Sequence, residues 1–240
     1  MRRAVLTGHF LLCSLALALA QGAPPLPPYP GDSAPGDDWS PTGAYVALRG
    51  SLTFGGKGPT VSVPTTPTAT ALRPAHDVGG GGAIALGVEL PFDLRLEAEG
   101  LYHNRPVQTV TLGGVTAAGN GSLQTAATMA NLVWAPQVDG FPIRPLIGGG
   151  AGMAYTYGQA SDLSRANVYL QNGGWHFAWQ GMAGLEVPVL PGASLTAMYR
   201  WMHTGNVKSK CGVAGAPALS CTKIGFDDQG VDLGLKIELP

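Results

Sequence analysis

The segment "DLRLEAEGLYHN", Asp93 to Asn104, alternates charge with apolarity: Asp93, Arg95, Glu97 and Glu99 are separated by Leu94, Leu96 and Ala98, and Tyr102 continues the apolar parity beyond Gly100. Successive side chains of a strand point to opposite faces, so strict period two predicts a β-strand with one charged and one apolar side. Which side meets water decides the fold. A soluble sheet turns its charges outward, whereas a closed barrel standing in lipid turns them into its own lumen.

Composition favours the second arrangement. Charged residues make up 12% of the 240-residue chain, against about 25% in ordinary soluble domains, whose whole exterior must be hydrated. A soluble lipocalin-like barrel would need many Lys and Glu on its outside and an apolar cavity within, and this chain has too little charge to supply that exterior.

Other segments repeat the pattern. Eight strands are predicted at 43–54, 81–90, 93–103, 123–134, 143–157, 175–187, 194–203 and 230–239, most of about the ten residues that a tilted strand needs to cross a bilayer. Connections alternate between long (55–80, 104–122, 158–174 and 204–229) and short (91–92, 135–142 and 188–193). The expected architecture is therefore all-β: a closed antiparallel eight-stranded transmembrane β-barrel with short periplasmic turns and four long extracellular loops.

Parity assigns the faces. Leu48 and Leu52 oppose Arg49; Leu86 and Val88 oppose Glu89; Phe177 and Trp179 oppose Glu186; Tyr199 and Trp201 oppose Arg200; Leu233, Leu235 and Ile237 oppose Asp232, Lys236 and Glu238. An eight-stranded barrel is narrow enough for side chains to fill, and buried charges are costly unless paired. Arg49, Arg95, Arg144, Arg200 and Lys236 are accordingly expected to pair across the lumen with Glu89, Glu97, Glu99, Glu186, Asp232 and Glu238, with Gly148, Gly150 and Gly152 making room for the long chains. The result would be a plugged barrel. A narrow channel is the alternative.

The ends add a compartment. Residues 1–20, "MRRAVLTGHFLLCSLALALA", carry a basic start, an apolar run and small residues before the cut, as a secretory signal does. Residues 21–42 are rich in Pro, Gly and Asp and read as a flexible leader, leaving 43–240 as the barrel. Of 14 Lys and Arg, removal of Arg2 and Arg3 leaves 12 against 15 Asp and Glu, which gives no basis for nucleic-acid binding. Cys211 and Cys221 remain in an oxidising compartment and are expected to form a disulfide. Neither a metal site nor a cofactor is expected.

"GAYVALRGSLTF" at 43–54, "RPLIGGGAGMAY" at 144–155, "LTAMYRWMHTGNVKS" at 195–209 and "GVDLGLKIEL" at 230–239 together resemble the opacity-type small outer-membrane barrels, a porin-like group, over roughly residues 41–240. The resemblance implies integral residence in the outer membrane of a Gram-negative bacterium, a non-enzymatic structural or surface-interaction role through the loops, and contacts with outer-membrane lipid, lipopolysaccharide and an extracellular or host ligand. It also implies recognition by barrel-assembly machinery through Asp232, Gly234, Ile237 and Leu239. The chain departs from that signal by ending Leu239-Pro240 rather than on an aromatic residue.

One rival chemistry is a lipid A-modifying enzyme. It would rest on His203 in "HTGN", but the place of a nucleophilic Ser two residues on is Gly205, and Thr204 points to the opposite face of a strand. His103 and His176 read as polar residues near strand ends. "GGGG" at 79–82 lacks the spacing and the helix of a phosphate loop. The long segments carry Lys57, Arg73, Arg105, Arg165, Lys208, Lys210 and Lys223 against Asp162, Asp227 and Asp228, a basic excess suited to anionic head groups.

Overall fold

The structure is a computed structural model and describes residues 43–54, 56–57, 60–64, 69–138, 140–162, 168–213 and 219–240. The expected signal at 1–20 and leader at 21–42 lie outside the described residues. Among the described residues every regular element is a strand: β1 (Gly43–Thr53), β2 (Gly56–Lys57), β3 (Val61–Pro64), β4 (Ala69–His76), β5 (Gly79–Leu90), β6 (Leu94–Leu112), β7 (Val115–Trp134), β8 (Arg144–Asp162), β9 (Val168–Leu190), β10 (Ala193–Val213) and β11 (Leu219–Glu238).

Eight of these close on themselves. The order β6-β5-β1-β11-β10-β9-β8-β7 returns to β6 through a β6–β7 pairing, and every pairing is antiparallel. The first and last strands seal the ring, with Val46 opposite Ile237 and Ser51 opposite Asp232. Closure leaves no unpaired edge, which lipid would penalise by several kcal/mol per unsatisfied group.

Burial alternates along the ring strands with the charges inside. Arg95, Glu97 and Glu99 are at most 5% exposed, whereas Leu96 and Tyr102 on the opposite parity are 48% and 47% exposed. Leu86, Leu132, Ile147, Phe177, Leu185 and Leu233 are likewise exposed. An apolar exterior around a charged interior suits lipid and no aqueous surface.

Three details differ from the sequence reading. The segments at 104–122, 158–174 and 204–229 are largely strand: β6 runs to Leu112 and β7 restarts at Val115 after a turn at Gly113 and Gly114. Backbone pairing can continue into water once the hairpin register is set, so strand ends do not mark the edge of the apolar band. Asp93 lies in the β5–β6 turn, exposed, with φ of 59°, and Phe92 beside it has φ of 66°. A tight hairpin turn demands such left-handed residues and takes Asp93 off the charged face. Finally, β4 stands outside the ring, pairing with β6 from Val107 to Leu112 and covering its extension.

Candidate functional site

Near the periplasmic end of the lumen, Arg95 grips Glu186 with two nitrogens (Nη1–Oε2 2.5 Å, Nη2–Oε1 3.0 Å) and lies 3.2 Å from Glu89 through Nε. Lys236 Nζ donates to Glu89 at 2.9 Å and Glu238 at 3.3 Å, and stands 3.5 Å from Glu186. The paired fork of an Arg matches a carboxylate, which suits a site where neither charge can be left bare. Arg144 faces Glu186 across the β8–β9 register and donates to Gln137 at 2.6 Å.

Midway, Arg49 donates to Glu97 and Glu99, each at 2.6 Å, and the Tyr45 hydroxyl donates to Glu97 at 2.9 Å. Arg200 donates to Asp232 at 2.7 Å, Gln180 at 2.7 Å and Glu99, the last through two nitrogens. Gln180 passes the chain on to Asn131 at 2.7 Å. Each charged residue of this network has polar partners; Arg49, Arg95, Glu97, Glu99, Arg144, Glu186, Arg200, Asp232 and Lys236 are buried, and Glu89 and Glu238 are half-buried.

Small inward residues set the positions of these groups. A Cβ on Gly87 would lie 2.3 Å from the Tyr45 ring, and one on Gly234 would lie 2.9 Å from Arg49 Cγ. Gly234 of the expected assembly signal therefore also seats an arginine. Asp232 points inward to Arg200, while Ile237 and Leu239 are exposed outside. Gly150 makes room for the neighbouring Asn131 side chain (1.9 Å from its absent Cβ), and Gly152 for the Thr128 carbonyl (2.0 Å), rather than for long charged chains. Adjacent strands are closer than opposite walls, so a missing side chain first admits its neighbour.

The lumen is also less uniformly polar than charge parity suggests. Leu101, Met129 and Met202 cluster in it with Ala127, Ala154 and Ala178, and Met182, Met198, Val133 and Leu146 form a second cluster. Flexible thioethers fill the irregular gaps between the ion pairs.

The extracellular mouth holds a tier that parity alone had not assigned. Arg105 and Asp228, read as loop charges, are buried inside and lie 3.5 Å apart, and His103 Nδ1 is 3.2 Å from Asp228. Extension of β6 and β11 past the apolar band carries period two onward and turns these groups inward. "GGGG" at 79–82 has its meaning here: a Cβ on Gly79 would meet Arg105 Cγ at 2.6 Å, and one on Gly81 would meet His103 Cδ2 at 2.6 Å. His176 is also inward, sharing a hydrogen bond with Thr156 at 2.8 Å.

On the outer wall, His203 Nδ1 contacts Asp227 at 2.8 Å and its ring lies near Trp179 and Trp201. Thr204 is buried on the other face and donates to the Phe226 carbonyl at 3.0 Å. No hydroxyl nucleophile is thus presented by the neighbour of His203. Cys211 and Cys221 stand on paired strands, with Ser209 opposite Cys221 and Cys211 opposite Leu219, but their thiols lie outside the described residues, as does Arg165. Among the described residues, no group of three His, Cys, Asp or Glu could hold a metal ion.

No protein-family model matches the sequence. An "Outer membrane protein" of Gluconacetobacter diazotrophicus is 33% identical over 136 residues, 52% of this chain, and the match spans 35% of that relative's length. Among solved structures, the outer membrane protein OprG of Pseudomonas aeruginosa superposes with a TM-score of 0.55 at 14% identity, over 82% of this chain and 96% of OprG. The chain is a bacterial outer-membrane β-barrel. A major outer membrane protein of Thermus thermophilus has the same fold, with a TM-score of 0.53 at 12% identity over 82% of this chain and 99% of that chain. The barrel thus resembles the small outer-membrane barrels that its strand motifs suggested, and its apolar outer wall meets lipid.

Proposed function

We propose that this barrel is a non-enzymatic structural and surface-interaction protein whose lumen is plugged, with recognition carried by its extracellular extensions. The observation that carries the reading is Arg200, which reaches from β10 to Glu99 on β6 while holding Asp232 and Gln180. Charges engaged across the full width of a narrow barrel obstruct ions and water, because opening the path would leave several of them unpaired. Thr204, the hydroxyl residue next to His203, is turned to the opposite face and held by the Phe226 carbonyl, which supports a non-enzymatic role. Long hairpins such as β6–β7 offer a surface to extracellular or host ligands above the bilayer.

Planar-bilayer recording tests the plug. Reconstituted barrel is expected to give no resolved single-channel steps. Steady, reproducible steps from the wild-type chain would establish the narrow-channel alternative instead. Release of fatty acid from purified lipopolysaccharide, lost on His203→Ala, would establish the enzyme.

A further inference from the structure

The outer wall carries a cluster that a barrel needs neither for closure nor for filling its lumen. Trp179, Trp201, His203 and Asp227 sit on β9, β10 and β11 with outward parity, and His203 is directly opposite both Trp179 and Asp227 in register. The Trp179 and Trp201 rings meet edge to face at 4.5 Å, and the His203 ring lies 5.8 Å and 6.5 Å from them. Asp227 Oδ1 holds His203 Nδ1 at 2.8 Å. The remaining ring nitrogen, Nε2, is on the side of Gly225, whose absent Cβ would lie 3.7 Å away. Gly181 stands opposite Trp201 on β9, with nothing within 4 Å of where its Cβ would be. The result is an aromatic shelf with open space beside it and two polar groups at its upper edge.

Its height limits what it can touch. His203 lies ten residues beyond Ala193, where β10 leaves the periplasmic turn. At about 3.3 Å per residue and a tilt of about 40°, that is a rise of ~25 Å, the height of a barrel's apolar band. A carboxylate and an imidazole would be costly in hydrocarbon, and at this level they meet lipid head groups. An interfacial girdle needs only amphipathic rings. It has no use for a histidine oriented by an aspartate.

We propose that this shelf binds a pyranose ring in the head group of an outer-leaflet glycolipid. The apolar face of the sugar would stack on Trp201, with Trp179, nearly perpendicular to it at 82°, closing one side. Its hydroxyls would donate to Asp227 and engage His203 Nε2. Asp227 sets the ligand class, since a carboxylate accepts from hydroxyls but repels a phosphate placed beside it. The inference rests on the outer-membrane location of the barrel and is independent of whether the lumen is plugged.

The test uses the full chain folded in micelles of a sugar-free detergent, with heat-modifiable gel migration establishing that each variant is folded. Tryptophan fluorescence follows titration with deep-rough lipopolysaccharide and, separately, with phosphatidylglycerol, which is anionic but carries no sugar. Saturable binding of lipopolysaccharide alone is expected. Asp227→Asn and Trp201→Leu should each weaken it about tenfold, the loss of one hydrogen bond to a charged group or a comparable stacking contact. Trp134→Leu, at the far end of β7, should leave it unchanged. Octyl glucoside below its micelle threshold should compete on the wild-type chain, an arm that needs no variant. Equal affinity of wild type and both variants, equal binding of phosphatidylglycerol, or absence of competition would each overturn the site. Loss of heat-modifiable migration in the wild-type chain would instead overturn the barrel itself.

Discussion

Arg200 and Glu99 face each other across the full width of the ring: β10 and β6 are four strands apart in either direction, and two guanidinium nitrogens of Arg200 reach the two carboxylate oxygens of Glu99. Both side chains are almost fully buried. Truncating one partner leaves the other charge in a medium that cannot hydrate it, so Arg200→Met is expected to destabilise the barrel by ~3–5 kcal/mol. The double variant Arg200→Met with Glu99→Gln should recover part of that loss, because it removes the orphaned carboxylate. Urea unfolding in vesicles measures both, and additive losses in the double variant would show that the pair is not coupled.

Gly148, Gly150 and Gly152 of β8 are expected to be intolerant of side chains. A Cβ at Gly152 would lie 2.0 Å from the Thr128 carbonyl oxygen, which is backbone and cannot yield without breaking the β7–β8 ladder. Gly152→Val should abolish heat-modifiable migration. Gly150→Ala meets the Asn131 side chain at 1.9 Å and the Ala130 carbonyl oxygen at 2.8 Å, so it should displace Asn131 from Gln180 and press on the β7–β8 ladder less severely than Gly152→Val, with the lost contact alone costing ~1–3 kcal/mol.

His76 is on β4, outside the apolar band, and burial, reinforced by the Arg105 charge, pushes its pKa down to about 4 from an ordinary 6.5. Asp228 nearby acts in the opposite direction. A depressed imidazole is neutral in the fold but takes up a proton on release. Its contribution is full above pH 6.5 and declines as pH falls toward 4. Protease resistance of the extracellular extension should weaken over that window. His76→Leu should flatten the response, and an unchanged pH profile would count against the assignment.

Cys211 and Cys221 are expected to be oxidised in the exported protein. The backbone register puts them on paired strands, two positions apart. Mass spectrometry after alkylation without reductant should show no labelled thiol. Cys211→Ser is expected to lower stability by ~2–3 kcal/mol, the loop-closure entropy of a short ring. Full alkylation of both residues in the native protein would dismiss the bridge.

Much of this molecule is legible along the chain, for a local reason. Period two in "DLRLEAEGLYHN" fixes which side chains share a face, and 12% charge leaves too little to coat an exterior, so together they turn the barrel inside out. Parity also places Tyr45 with Arg49 and Gln180 with Glu186, which makes them lumen residues by the same rule. Arg105 and Asp228 escaped because their inward orientation depends on how far the β6 and β11 ladders continue past the membrane, which pairing decides and propensity does not.

Partner choice lay beyond the sequence altogether. Alternation states that Arg95, Arg49, Arg200 and Lys236 point inward with the carboxylates, but each cation in a closed ring has several within reach. The stagger of the strands and the space left by Gly87 and Gly234 decide that Arg49 meets Glu97 and Glu99 while Arg95 meets Glu186. The sequence by itself determined an outer-membrane barrel with charge inside, because facing is a property of neighbouring residues. Only the tertiary structure decided who meets whom across the lumen, because that depends on ring closure and register between strands far apart in sequence, such as those of Arg200 and Glu99, 101 residues apart, and of Lys236 and Glu89, 147 apart.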